Sequence, residues 1–195
     1  MLTQMLSVAA LAAAVSGHGL ITSPEPRAPG DASIAACGSS VVANVAGDPT
    51  SHVEGLPELA AADAGYHADL CNLWLCKGLQ YADNAANVQR YAPGQSVNIR
   101  VSLSIPHVGS ANVSIVDTRT DTVVGGAPLL AWPSGYADER AFYGHTTPAN
   151  QTDFNVTIPE DIGTQCSEAG ACVIQWWWYG TGARQTYESC IDFTA

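Results

Sequence analysis

His18 is the residue in this chain best placed to do chemistry, because of what precedes it. Residues 1–17 form a leader whose apolar run, Leu6 to Val15, has the length of a secretory h-region and is too short to span a bilayer. The leader ends Ala-Val-Ser-Gly, with small residues at Val15 and Gly17 that suit a signal-peptidase cut. It carries no Lys or Arg, so its positive start is the initiator amine alone. The other reading makes residues 1–17 an N-terminal strand or helix packed in the core. Cleavage after Gly17 makes His18 the first residue, and its α-amine and imidazole then form one bidentate chelate. A second histidine completes a T-shaped site of three nitrogens, a donor set that suits one copper ion.

Four other histidines compete for the second position. His107 sits in Ile105-Pro-His-Val-Gly-Ser110, a tight connection between two predicted strands, where a rigid scaffold presents a loop residue. The competing reading is an exposed turn histidine. His52, His67 and His145 lie in irregular polar segments and read as surface residues; His145 is also a candidate hydrogen-bond donor beside the site. In Arg184-Gln-Thr-Tyr-Glu-Ser-Cys190, strand alternation puts Gln185, Tyr187 and Ser189 on one face. Tyr187 can then approach an axial metal position while Gln185 faces the same site. From the strand pattern alone, a core Tyr187 and a solvent-facing Gln185 are the favoured reading.

The elements that position these residues follow from periodicity. Ser96–Ser104 alternates Val97, Ile99, Val101 and Leu103 with polar residues, the period-two pattern of a half-buried strand. Residues 111–117 and 153–158 repeat it, and residues 171–179 and 185–193 give two further strands around a Gly180–Gly182 turn. Short alternating strands joined by Gly and Pro turns predict an all-β fold, an antiparallel β-sandwich. From His18 to about Tyr91 the chain is rich in Gly, Pro, Ala and Asp, which predicts long loops and short helices over the sandwich. No internal repeat or linker divides residues 18–195, so one domain is expected.

The net charge of −11 argues against nucleic acid or an anionic membrane as partner. No later apolar run reaches spanning length, and the C-terminal Asp-Phe-Thr-Ala has no anchor signal. Cys37, Cys71, Cys76, Cys166, Cys172 and Cys190 form an even set behind a leader and predict three disulfides. Glu168, Ala169 and Gly170 make a turn that favours a local Cys166–Cys172 bridge, and Cys190 is expected to tie the last strand to the Cys37–Cys76 region. Asn112, Asn150 and Asn155 begin glycosylation sequons. Together these features predict a secreted, extracellular glycoprotein.

His18-Gly at the cut, His107-Val-Gly-Ser, Trp176-Trp-Trp178 and Arg184–Cys190, in this order, resemble the lytic polysaccharide monooxygenases. Cys71-Asn-Leu-Trp-Leu-Cys-Lys-Gly78 and the stretch from Gln165 to Tyr187 look most like the fungal, cellulose-active auxiliary-activity family sixteen. The resemblance implies an immunoglobulin- or fibronectin-like sandwich with a flat copper face. It implies equatorial ligands at His18 (amine and imidazole) and His107, an axial Tyr187, and a hydrogen-bonding Gln185 where some relatives carry glutamate. It further implies a monomer acting on crystalline polysaccharide, cellulose ahead of chitin, with an external electron donor and oxidative cleavage at C1 of β-1,4-glucan. Tyr66, Tyr136 and Tyr143 lie in loop-like segments from which an aromatic ring can stack on sugar, whereas alternation points Trp176–Trp178 to both sides of a core strand. Two other readings stay open: a brace-bearing copper-binding protein without polysaccharide oxidation, and a noncatalytic carbohydrate-binding module of the same fold. A hydrolase lacks support, because no motif places two carboxylates on facing strands.

Overall fold

The computed structural model describes residues 18–195; residues 1–17, read above as a leader with a cleavage signal, lie outside the described residues. Two sheets face each other. The smaller has the order β1-β3-β7, with β1 at His18–Ser23, β3 at Ser96–Ile105 and β7 at Asp153–Thr157. The larger runs β2-β9-β8-β4-β5, built from β2 at Gln89–Arg90, β4 at Gly109–Asp117, β5 at Thr122–Val123, β8 at Cys172–Gly180 and β9 at Gln185–Thr194. A further strand, β6 at Leu130–Tyr136, pairs with β4. All pairings are antiparallel except β2 against β9, where a short parallel contact closes the sheet edge.

The core forms because each strand turns one apolar face inward. Val97, Ile99, Val101 and Leu103 of β3 meet Ala111, Val113 and Ile115 of β4, Ile174, Trp176 and Trp178 of β8, and Tyr187, Ile191 and Phe193 of β9. Trp177 points the other way and stacks on Tyr179 across an 18° interplanar angle. The expected alternation of the tryptophan run is therefore present.

The stretch before residue 91 contains the expected loops and short helices but departs from that expectation at its start. His18-Gly-Leu-Ile-Thr-Ser is a strand, because Ile21 and Gly19 fit the inner face while their backbone pairs with β3. The remainder is a helical cover with its own apolar cluster of Val41, Val42, Val45, Val53, Leu56 and Leu73. Its helices are α1 (Asp31–Cys37), α2 (Ser39–Gly47) and α3 (Leu56–Ala61). Glycines precede α1 and α2, where a capping side chain would be expected. Carboxylates from elsewhere in the chain do the capping. Asp83 accepts from the Ala32 and Ser33 amides at 2.8 Å each, and Asp63 accepts from the Ser40 amide at 2.8 Å. A Cβ on Gly30 or Gly38 would strike those carboxylates, at 2.6 and 2.7 Å.

Three disulfides join these parts: Cys37–Cys71 within the cover, Cys76–Cys190 between cover and β9, and the local Cys166–Cys172. Both sequence-based expectations about pairing agree with this pattern. Arg27 adds a paired clamp, donating from Nε and Nη2 to Asp192 at 2.8 and 2.7 Å and from Nη1 to the Leu79 carbonyl. One further helix, α4 (Glu139–Tyr143), follows β6 and is capped by Asp138.

Candidate metal centre

The register of β1 on β3 brings the two candidate histidines to one end of the sandwich. His18 lies opposite Ile105, and His107 follows Ile105 by two residues in the connection to β4. Close packing fixes His107. A Cβ on Gly180 would come within 2.7 Å of the His107 Cβ, so β8 can pass behind the histidine only as glycine. Gly109 meets the same constraint against the Tyr179 carbonyl. The His107 carbonyl accepts from Trp178 Nε1 at 3.1 Å. On the other side Glu139, at the start of α4, accepts from the Val108 amide at 3.1 Å and stands 3.7 Å from His107 Nδ1.

His18 is held differently. Its Nε2 lies 2.8 Å from Asp48 Oδ2, and its Nδ1 is buried with no hydrogen-bond partner among the described residues. A neutral imidazole has one N–H and one lone pair. Asp48 accepts the Nε2 hydrogen, so the lone pair is assigned to Nδ1, on the side where the main-chain nitrogen of the same residue lies. Burial works against the Asp48 charge, but hydrogen bonds from the Thr50 hydroxyl and amide, together with His18, outweigh it and hold the carboxyl below its ordinary value. A buried polar atom without a partner is costly in a folded protein. An imidazole lone pair kept in that condition fits a metal ion, and a carboxylate on the opposite ring nitrogen is the usual way of orienting a histidine ligand. Among the described residues no cluster of three or more His, Cys, Asp or Glu side chains is arranged for a metal. The donors at this end are the two imidazoles and the His18 nitrogen, which suit copper.

β9 supplies the third wall. Tyr187 is fully buried, stacks on Trp178 at 4.3 Å between ring centroids, and donates its hydroxyl hydrogen to Gln185 Oε1 at 2.6 Å. Gln185 is half-buried and pairs with Gly180 across the ladder, so the predicted face of Gln185 and Tyr187 is present as drawn from alternation. The core reading of the Tyr187 ring is also correct, and the solvent-facing reading of Gln185 is replaced by a hydrogen bond to its strand neighbour.

Sequence reasoning missed three carboxylates around the site: Asp48, Glu54 and Glu139. Asp48 and Glu54 bracket one loop that links the start of β1 to the start of β9. The Gly19 amide donates to the Thr50 carbonyl, the Val53 amide to the Thr186 carbonyl, and the Thr186 amide to both Glu54 oxygens at 2.8 and 2.9 Å. His52, expected at the surface, is half-buried in this loop; its Nδ1 lies 3.1 Å from Glu54 and its ring packs edge-on against Tyr187. His67 is exposed as expected. His145 is exposed in the turn after α4 and has no contact with either candidate ligand among the described interactions. Nothing in local periodicity marks the three carboxylates, because their partners are distant in sequence.

Two imidazoles lie at one end of the β-sandwich, and one of them has a buried ring nitrogen with no partner among the described residues. The chain matches the family described as lytic polysaccharide mono-oxygenase, cellulose-degrading, over residues 18–193, and it belongs to that family. Members of the family are copper-dependent monooxygenases that act on polysaccharide. Among solved structures the chain is similar to a chitin binding domain from Burkholderia pseudomallei, at 15% identity and a TM-score of 0.49, covering 91% of this chain and 98% of that one. It is also similar to a cellulose-active lytic polysaccharide monooxygenase in complex with copper, at 13% identity and a TM-score of 0.43, with the same coverage. A comparison with curated proteins gives no match.

Proposed function

We propose that this protein is a secreted copper-dependent monooxygenase that cleaves cellulose oxidatively at C1. The observation that carries the reading is the His18 ring, turned by Asp48 so that its buried Nδ1 lone pair has no protein partner. Removal of residues 1–17 then adds the His18 amine beside that lone pair. His18 holds one copper ion through amine and Nδ1, and His107 through the ring nitrogen opposite the one that faces Glu139. Bound there, copper supplies the one-electron redox chemistry that activates oxygen or peroxide for hydroxylation of a glycosidic C–H bond. Tyr187, its hydroxyl held by Gln185, would be the third residue to face the ion. The Gln185 amide orients hydrogen bonds beside the reacting position and transfers no proton, since an amide does not titrate in water. An external donor supplies electrons.

Substrate contact falls to the rim. Of the three loop tyrosines, Tyr136 is buried in the core and Tyr66 is half-buried with its hydroxyl on the Cys71 carbonyl. Tyr143, 66% exposed, sits on α4, whose first residue faces His107. It flanks an open cleft with His145, Thr147 and Thr152, uncharged or weakly polar groups that suit a neutral glucan. The likeness of Cys71–Gly78 and Gln165–Tyr187 to auxiliary-activity family sixteen supports cellulose and C1. Secretion is supported by the three disulfides and by exposed sequon asparagines at Asn150 and Asn155. No described helix is long and apolar enough to cross a membrane.

Intact mass, N-terminal sequencing and a copper count on the secreted protein test the ligand set: a mature chain beginning anywhere but His18 ends the proposal. Incubation with copper, ascorbate and cellulose should release aldonic-acid oligosaccharides. Tight copper binding with no oxidised product from cellulose or chitin would leave a copper-binding protein. Polysaccharide retention that survives both chelator and His107→Ala would leave a binding module.

A further inference from the structure

We propose that Lys77 is a positioning residue for the metal centre, holding the Asp48–Glu54 loop so that Asp48 orients His18; the inference rests on the copper reading above. Lys77 is 2% exposed although lysine is among the residues least often buried. Its ammonium donates to the Pro49 carbonyl at 2.7 Å. Pro49 lies between Asp48 and Thr50, whose amide and hydroxyl bind Asp48 Oδ1 and leave Oδ2 to His18. Lys77 therefore grips the centre of the turn that aims the carboxylate. The remaining loop contacts reach β1 through Gly19 and β9 through Val53 and Glu54, so the Lys77 grip joins both strands that enter the site.

The surroundings show that the lysine is placed by strong constraints. Cys76, Lys77 and Gly78 are all in the left-handed region, at φ 55°, 57° and 77°. Non-glycine residues hold that conformation only where the structure around them over-determines it. Here Cys76 is bridged to Cys190, and Gly78 abuts the Cys37–Cys71 bridge, whose sulfurs would lie 2.7 and 2.6 Å from an added Cβ. Glu188, 3% exposed, accepts from the Lys77 amide at 3.2 Å and supplies the opposing charge. Burial pulls the Lys77 ammonium down and pushes the Glu188 carboxyl up, and each charge partly restores the other. A pair needed only to fill space would be replaced at no loss by apolar side chains. The ammonium is the group that can reach a loop carbonyl with three donors on a long flexible stem.

The test compares wild-type protein with Lys77→Met/Glu188→Gln, which removes the grip without stranding a buried charge. A cavity of about 220 Å³ lined in part by Leu20, Pro49, Lys77 and Glu188 accommodates the methionine. Lys77→Leu/Glu188→Gln, which also removes the donor, is the second variant should the first fail to fold. Three properties are measured: the copper dissociation constant by calorimetry, the Cu(II) EPR spectrum, and the His18 ring-nitrogen shifts by NMR in metal-free protein. The expected result is about tenfold weaker copper binding, at the lower end of the range for groups that orient a ligand. Altered EPR parameters and loss of the single Nε2–H tautomer of His18 should accompany it. A lowered melting temperature with unchanged dissociation constant, EPR spectrum and ring shifts overturns the proposal and leaves Lys77 a stability residue. If wild-type protein binds no copper, the functional reading fails, and the metal-free ring shifts still decide for or against the Lys77 link.

Discussion

Gly180→Ala should damage the proposed metal centre without replacing a ligand. The added Cβ would stand 2.7 Å from the His107 Cβ, about 1 Å inside ordinary carbon contact. Neither side yields easily. Gly180 is fixed by ladder pairing to Gly109 on one side and Gln185 on the other, and the His107 main chain is tied to Trp178 Nε1. Overpacking of this kind costs about 1–3 kcal/mol. In a chain of this size each kcal/mol lowers Tm by about 2–4 °C. The displacement also acts on the imidazole itself, and a misplacement of about 1 Å at a reactive centre costs roughly 100-fold in rate. Gly182→Ala is the control, since its Cβ would meet nothing within 4 Å. Copper titration, EPR and oligosaccharide release are measured for both. Unchanged copper affinity and unchanged activity in Gly180→Ala would refute the claim that β8 sets the position of His107.

Asp48→Ala removes the acceptor that orients His18 and should weaken copper binding about 10- to 100-fold by competition titration, with little loss of fold because Asp48 is partly exposed. Asp63→Asn tests acid sensitivity. Hydrogen bonds from the Ser40 and Gly65 amides hold the Asp63 carboxyl down to about 2, below its unfolded value, so its stabilising effect is full above about pH 4 and is lost as pH falls toward 2. The stability gap between wild type and variant in denaturant titrations should close over that interval; a constant gap would refute the capping role. Tyr143→Ala should weaken cellulose retention about fivefold, the equivalent of about 1 kcal/mol of apolar burial, while Tm and copper affinity hold.

Alternation made the sandwich legible, because strands such as Ser96–Ile105 bury one face and wet the other. The same rule placed Gln185 and Tyr187 together and sent Trp177 away from its neighbours. It did not reveal β1, whose short run begins at His18 and is only six residues long. The cover helices were hard to bound for a different reason. Their caps are Asp83 and Asp63, supplied by tertiary contact to glycine-led helices, so the local start signal is missing. The carboxylates around the site share this property. Asp48, Glu54 and Glu139 acquire their roles only when loops meet strand ends, and His52 becomes half-buried for the same reason.

Within the described residues the pairing of β1 with β3 begins at the very residue that the proposed ligand set uses twice, His18 opposite Ile105. Protein that keeps a tag or any residue before His18 would carry a peptide amide where the proposed ligand set needs a terminal amine. Purity, circular dichroism and thermal melting do not report on that amine, whereas the mass of the first peptide and the copper count do.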